Sequence, residues 1–123
     1  MNTVVGTKNN EGENMSLFTK FQDAIQSEDA TKYGALYHED FQFIRHQTGT
    51  SMNKSEIVSM IQKMFASGAV KQENHRCIYE NDTILVEHSF MTFPDGSREA
   101  VLAVHTLEDG KIIRTETGAT LLK

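Results

Sequence analysis

From residue 70 onward the chain is written almost entirely in strand-forming runs, and this constrains it most. Four runs, 70–80, 83–93, 98–107 and 111–122, are joined by Asn81-Asp82, Asp95-Gly96 and Asp109-Gly110. Such dipeptides suit tight hairpin turns, because Gly, Asn and Asp tolerate the left-handed backbone those turns require. Connections this short make consecutive strands antiparallel neighbours, so the second half reads as a meander.

Two-residue turns also fix which side chains share a face. With Asp95-Gly96 as the turn, Phe90 faces Val101, His88 faces Ala103 and Val86 faces His105. With Asn81-Asp82 as the turn, Tyr79 faces Ile84, Cys77 faces Val86 and His75 faces His88. One face then carries His75, Cys77, Tyr79, Val86, His88, Phe90, Val101, Ala103 and His105. The other carries Arg76, Ile78, Leu85, Glu87, Met91, Leu102 and Val104, with Arg76 and Glu87 as a cross-strand ion pair. The last turn leaves two readings. A two-residue Asp109-Gly110 turn points Arg114 and Glu116 inward, whereas a three-residue loop with a glycine bulge points Ile113, Thr115 and Thr117 inward.

Both faces are largely apolar, and a half-solvated antiparallel sheet would alternate more cleanly. Both faces therefore need covering. The first half of the chain supplies cover for one. Ser16 caps a helix with apolar positions Leu17, Phe18, Phe21, Ala24 and Ile25. Asp29 caps a second helix with Ala30, Tyr33, Leu36 and Tyr37 on its inner side. Phe41-Gln42-Phe43-Ile44-Arg45 then alternates as a strand, and Thr48-Gly49-Thr50 is a turn. Asn53 and Glu56 form a capping box, with Met52 and Ile57 as its hydrophobic staple, for a third helix that Gly68 ends. Nothing is left for the second sheet face, so a second copy of the chain is expected there, giving a homodimer.

The 123 residues make one domain. Residues 1–14 are polar and read as a flexible tail, leaving 15–123 as the domain. A net charge of −5 with no basic cluster argues against nucleic acid as a partner. No apolar run approaches a membrane span, and a single cysteine fits a cytoplasmic protein without disulfides.

The helix-to-strand passage LYHEDFQF, the helix MNKSEIVSMIQ and the hairpin LEDGKIIRTET resemble the nuclear transport factor 2-like superfamily, which includes SnoaL-type cyclases, scytalone dehydratase and ketosteroid isomerases. The resemblance spans roughly residues 15–122. It implies an α+β cone: a curved mixed or antiparallel sheet with three helices packed on its concave face, a small-molecule pocket between them, and dimerisation through the outer sheet face. Ketosteroid isomerases carry a general-base aspartate eight residues past a helix tyrosine; counting from Tyr37 gives Arg45. Their oxyanion-binding tyrosine falls near Phe21 and their second pocket acid near Ala103. All three positions depart from that machinery.

Candidate site residues follow from facing and chemistry. Arg45 shares a face with Phe41 and Phe43, and a pocket guanidinium suits a carboxylate, a phosphate or an enolate oxygen, or else a structural carboxylate such as Glu116 or Glu73. His46 points the other way. His75, His88 and His105 are candidate proton-transfer groups, or a hydrogen-bonded structural patch. Their spread over three strands argues against a shared metal. Tyr33, Tyr37, Phe43, Tyr79, Phe90 and Val101, with Arg45, are the candidate ligand contacts. No cofactor is expected. The expected chemistry is acid–base isomerisation, dehydration or cyclisation of an apolar, oxygen-bearing molecule. The alternatives are a non-catalytic binding module and a dimeric interaction domain whose pocket Phe18, Phe21, Met60 and Met64 fill.

Overall fold

The computed structural model describes residues 16–123; the tail read at 1–14 lies outside them. The elements are α1 (Leu17–Ser27), α2 (Ala30–Gly34), β1 (Tyr37–Arg45), β2 (Thr50–Asn53), α3 (Lys54–Ser67), β3 (Lys71–Glu80), β4 (Ile84–Thr92), β5 (Arg98–Glu108) and β6 (Lys111–Leu122). They form one six-stranded sheet in the order β2-β1-β6-β5-β4-β3. The sheet is mixed, because β1 runs parallel to β6 while every other pair is antiparallel. It is a curved, unclosed sheet with three helices, as expected.

Local chemistry sets the helix ends. Ser16 accepts the Thr19 N–H at 3.1 Å, and Asp29 accepts those of Thr31 and Lys32. At α3, Asn53 and Glu56 satisfy each other's backbone N–H groups, both at 2.9 Å, and Gly68 ends the helix at φ 62°. A remote cap was not foreseen: the Glu80 carboxylate, at the end of β3, accepts the Leu17 N–H at 2.9 Å and the Phe18 N–H at 3.4 Å. This ties the start of α1 to the sheet and places a negative charge at a helix N-terminus, where it is favoured.

The core is the helix–sheet interface. Leu17, Phe21 and Ala24 of α1 and Ile57 and Ile61 of α3 meet Tyr33, Tyr37, Phe41, Leu85 and Ile112. Tyr37 belongs to β1 rather than to a helix: α2 is only five residues long, and Leu36 already accepts a sheet hydrogen bond from the Ile112 N–H at 2.9 Å.

The registers depart from the two-residue expectation at several places along the meander. At the β4–β5 hairpin, Thr92 pairs with Arg98 and Phe90 with Ala100. Pro94, Asp95 and Gly96 form a three-residue loop, closed by Phe93 and Ser97, with Gly96 left-handed at φ 85°. Proline suits the first bend of such a turn and cannot donate to a ladder. The extra residue turns β4 over relative to β5. Leu85, Glu87 and Ser89 are buried on the concave side, while Val86, His88 and Phe90 go to the outer face. At the β3–β4 hairpin the turn is Asp82-Thr83, with Asn81 closed on Ile84 and Glu80 opposite Leu85. An irregularity between Cys77 and Tyr79 then leaves Arg76 opposite His88 rather than Glu87.

On β3, Glu73 pairs with Phe90 but Arg76 with His88, so one residue is extra. That bulge contains Asn74, left-handed at φ 53°. At the last hairpin, Glu108 pairs with Lys111, so the turn has two residues; Leu107 then pairs with Ile112 but Thr106 with Arg114. The extra residue sits at Ile113 inside β6, not in the loop. Thr115 and Thr117 are buried on the concave side, and Arg114 and Glu116 pair with each other on the outer one.

Candidate functional site

Between the helices and the concave face lies a cavity of about 590 Å³, a size that suits a small organic molecule. Its apolar wall comes from Phe21, Ile57, Met60, Met64, Phe65 and Val101. Phe21, Met60 and Met64 line the cavity without filling it. Phe18 stands against the His75 ring instead, with centroids 4.6 Å apart.

The polar wall is built in three pieces. The first is a chain of side chains across β3, β4, β5 and β6. His75 Nε2 and His105 Nε2 each bond one carboxylate oxygen of Glu87. His105 Nδ1 meets the Thr115 hydroxyl at 2.6 Å. A carboxylate only accepts, so both Nε2 atoms carry the proton, and a neutral His105 accepts the Thr115 O–H at Nδ1. Burial alone would push the Glu87 carboxyl up, but the hydrogen bonds from His105 and His75, with their charges, outweigh it and hold the group down at about 2. Glu87 is therefore a firm anion.

The second piece is a tyrosine pair. The Tyr37 hydroxyl donates to that of Tyr33 at 2.9 Å, which leaves the Tyr33 proton available to an oxygen in the cavity. Burial raises both phenols well above their usual range, Tyr33 further through the nearby Glu87 charge and Tyr37 through Tyr33 and Glu87, so both stay protonated. Phe21 sits between the pieces, its ring 5.3 Å from both Tyr33 and His105.

The third piece is Arg45. Its terminal nitrogen lies 3.1 Å from both oxygens of Glu99 and also bonds Gln47. Its Nε is buried without a partner. The counter-charge is thus Glu99, which the sequence reading did not single out, rather than Glu116 or Glu73.

Of the sequence candidates, Tyr33, Tyr37, Phe43, Arg45, Val101 and His105 line the cavity. His75 reaches it only through Glu87. His88, Phe90 and Tyr79 do not. The turned-over β4 carries His88 and Phe90 outside, where their rings pack edge to face at 5.2 Å, and Tyr79 is 55% exposed. His46 faces outward and bonds Glu116 at 3.0 Å. Cys77, expected in the pocket, is exposed. Glu87 and Glu99 were missed; Pro94 ahead of Asp95-Gly96 was the signal that could have placed Glu87 correctly.

The three candidate histidines do not converge on a metal-sized space, since His88 is on the other face. Among the described residues, His38, Glu108 and Asp109 do bring ligand atoms within 4.8 Å of one another. His38 Nδ1 already accepts the Asp40 N–H at 3.0 Å, however, and Nε2 faces Glu108 at 3.4 Å. That leaves Nε2 protonated and unable to ligate.

Fold and cavity place the molecule in the nuclear transport factor 2-like class. More narrowly, the chain belongs to the SnoaL-like domain family, whose model matches residues 18–115. Among solved structures, it is similar to an NTF2-like protein of unknown function from Mesorhizobium loti (TM-score 0.72, 13% identity, covering 85% of this chain and 88% of that one). It is similar also to a candidate ketosteroid isomerase from Kribbella flavida (TM-score 0.71, 16% identity, covering 87% and 77%). A third is an NTF2-like protein of unknown function from Cytophaga hutchinsonii (TM-score 0.68, 17% identity, covering 85% and 87%). No curated protein sequence matches the chain. At these identities the likeness establishes the fold alone.

Proposed function

We propose that the cavity binds an apolar, oxygen-bearing small molecule and carries out acid–base chemistry on it, of the isomerisation, dehydration or cyclisation kind, without a cofactor. The observation that carries this reading is His105 on the cavity wall, with Glu87 fixing one ring nitrogen and Thr115 the other. A proton next to a ligand carbonyl passes to the Thr115 oxygen as the Thr115 proton passes to His105 Nδ1. The negative charge then grows on the carbonyl oxygen, where the Tyr33 hydroxyl donates to it. Returning the proton to a second carbon completes an isomerisation. Arg45 and Glu99 bind ligand polar groups at another part of the wall, through the free Arg45 Nε–H.

The test is a panel of enones, 1,3-diketones and β-hydroxyketones incubated in D2O. Deuterium uptake next to the carbonyl, lost in His105→Gln, supports the reading. Members that raise the melting temperature but return undeuterated and unchanged would refute it. They would favour the second reading, a binding module. What supports that reading is the largely apolar wall of the cavity together with the buried Arg45 Nε, which has no partner of its own and can hold a ligand oxygen without any proton transfer.

We further propose a homodimer through the outer sheet face. Ile78, Tyr79 and Leu102 are 48%, 55% and 43% exposed, and burying such area is the main force for association. No helix among the described residues is long and apolar enough to cross a membrane, and the free Cys77 thiol fits a cytoplasmic site of action.

A further inference from the structure

His75 does not line the cavity, yet it is bonded to the same carboxylate as His105. We propose that His75, Glu87 and His105 form one charge-balanced unit, in which a proton gained by His105 from the cavity is matched by a proton released to water from His75. This rests on the reading of His105 as the cavity's proton acceptor and adds a positioning residue to it.

Connectivity makes the exchange possible without breaking a bond. Both Nε2–H groups donate to Glu87, so the nitrogen on each ring left free to exchange a proton is Nδ1. The His105 Nδ1 meets Thr115, which lines the cavity. The His75 Nδ1 has no partner among the described residues. It is also not one of the buried unpartnered atoms, which are Arg45 Nε and His88 Nδ1. It therefore faces water, at the edge strand of the sheet.

Burial supplies the coupling. The His75, Glu87 and His105 side chains are 10%, 10% and 3% exposed. With both imidazoles neutral the unit carries one net negative charge; with both cationic, one net positive charge. Each state is costly away from water, and one added proton makes the unit neutral. At rest that proton belongs on the solvent-facing ring. When His105 Nδ1 takes a proton from the cavity, His75 Nδ1 gives one to water, and the net charge is unchanged.

Three exposed charged side chains, Glu28, Lys71 and Glu73, also line the cavity; the buried surroundings of the unit add little competing charge. α1 faces the unit with the rings of Phe18 and Phe21, and α3 lines the cavity with Ile57, Met60, Ile61, Met64 and Phe65. From α2 and β1 come the Tyr33 and Tyr37 hydroxyls, held protonated. From β3, burial first and then the Glu80 and Glu87 charges push the Cys77 thiol up, and the Glu80 carboxylate is committed to the start of α1. Arg45 of β1 and Glu99 of β5 neutralise each other.

The backbone bends to make the arrangement. Two irregularities on β3 flank His75: one contains the left-handed Asn74, and the other lies between Cys77 and Tyr79. The second leaves Arg76 opposite His88 on the outer face, so that the preceding His75 falls on the concave side with Glu87. A bulge that re-aims one side chain is the form such a device takes.

The test needs no ligand. Long-range nitrogen–proton NMR of histidine-labelled protein, titrated across neutral pH, reports the protonated nitrogen of each ring. The expected result is Nε2–H on both rings throughout, with two titration steps that each move the signals of both rings. His75→Gln, which keeps an N–H donor toward Glu87, should leave His105 with a single step. One independent step per ring, unmoved by that substitution, overturns the proposal, as does an Nδ1–H neutral form at either ring. Should the variant not fold, the wild-type titration decides alone. Coupled titration with no deuterium uptake by any ketone refutes the catalytic reading and leaves the coupling standing. Uptake with uncoupled titration does the reverse.

Discussion

Replacing Glu87 by glutamine keeps the side-chain shape and removes one charge from the centre of the site. Its cost can be worked from the carboxyl itself. The fold holds this group at about 2, against 4.5 for the free side chain. Each unit of such a difference is worth about 1.4 kcal/mol, so the fold favours the ionised over the neutral form by about 3 kcal/mol. Glutamine resembles the neutral form, and one of its two ends presents N–H to a histidine that also donates. The variant should therefore lose about 3 kcal/mol at pH 7, a large share of the 5–15 kcal/mol typical of a domain. The sign of the pH dependence follows from the lowered value. The contribution is fully present above about pH 4.5 and is lost as pH falls toward 2. The gap between wild type and variant should thus be near 3 kcal/mol at pH 7, roughly half that at pH 3, and nearly gone at pH 2. Urea unfolding followed by circular dichroism measures it. With a slope of about 1.5 kcal/mol per molar urea, the pH 7 midpoint should drop by about 2 M. A variant within about 0.5 kcal/mol of wild type at pH 7, or a gap that does not change between pH 7 and pH 3, would refute the picture of an anion clamped by two imidazoles.

Other perturbations probe other parts of the account. Tyr33→Phe removes the acceptor of the Tyr37 hydroxyl and the donor to a ligand oxygen; it should cost about 1 kcal/mol in urea unfolding and weaken a ketone ligand several-fold by calorimetry. Glu80→Ala strips the start of α1 of its cap, and a loss of about 1 kcal/mol should accompany faster amide hydrogen exchange at Leu17 and Phe18. Leu85→Ala empties a fully buried position and should cost about 2–5 kcal/mol. Leu102→Arg places a charge on the outer face; the sedimentation mass should fall from two chains to one with the circular dichroism spectrum unchanged, and a wild type already sedimenting as one chain at micromolar concentration would dispose of the dimer.

Most of the fold could be read from the chain because its signals are local. Asn53 and Glu56 announce α3, Gly68 closes it, and the Asn- and Asp-containing turns announce the meander. Facing was harder, because it depends on counting residues across turns, and one extra residue inverts a strand. At Asp95-Gly96, the preceding Pro94 adds a loop residue and turns β4 over. That exchanged Glu87 for His88 at the site and moved Phe90 outside. On β6, inward Thr115 and Thr117 arose from a bulge at Ile113, with the turn left at two residues. On β3 the irregularities at Asn74 and between Cys77 and Tyr79 did the same; Asn74 is a residue type that tolerates the left-handed backbone, but around Ile78 no residue type singles out a bulge. The β5 assignments needed no such correction, so His105, Ala103 and Val101 stand where alternation put them. Arg45 followed from alternation with Phe41 and Phe43, but its partner Glu99 lies 54 positions away in the chain, and such pairings follow from the strand order rather than from any local pattern.

A crystal structure with a conjugated ketone bound in the cavity tests the central claim most directly. The account predicts the ketone oxygen within about 3 Å of the Tyr33 hydroxyl, as a hydrogen bond requires. It predicts the adjacent carbon facing Thr115, with His105 still bonded to Glu87 behind it. A ketone lodged with its oxygen on Arg45 and its carbon skeleton turned away from Thr115, or one bound outside the cavity altogether, would contradict it.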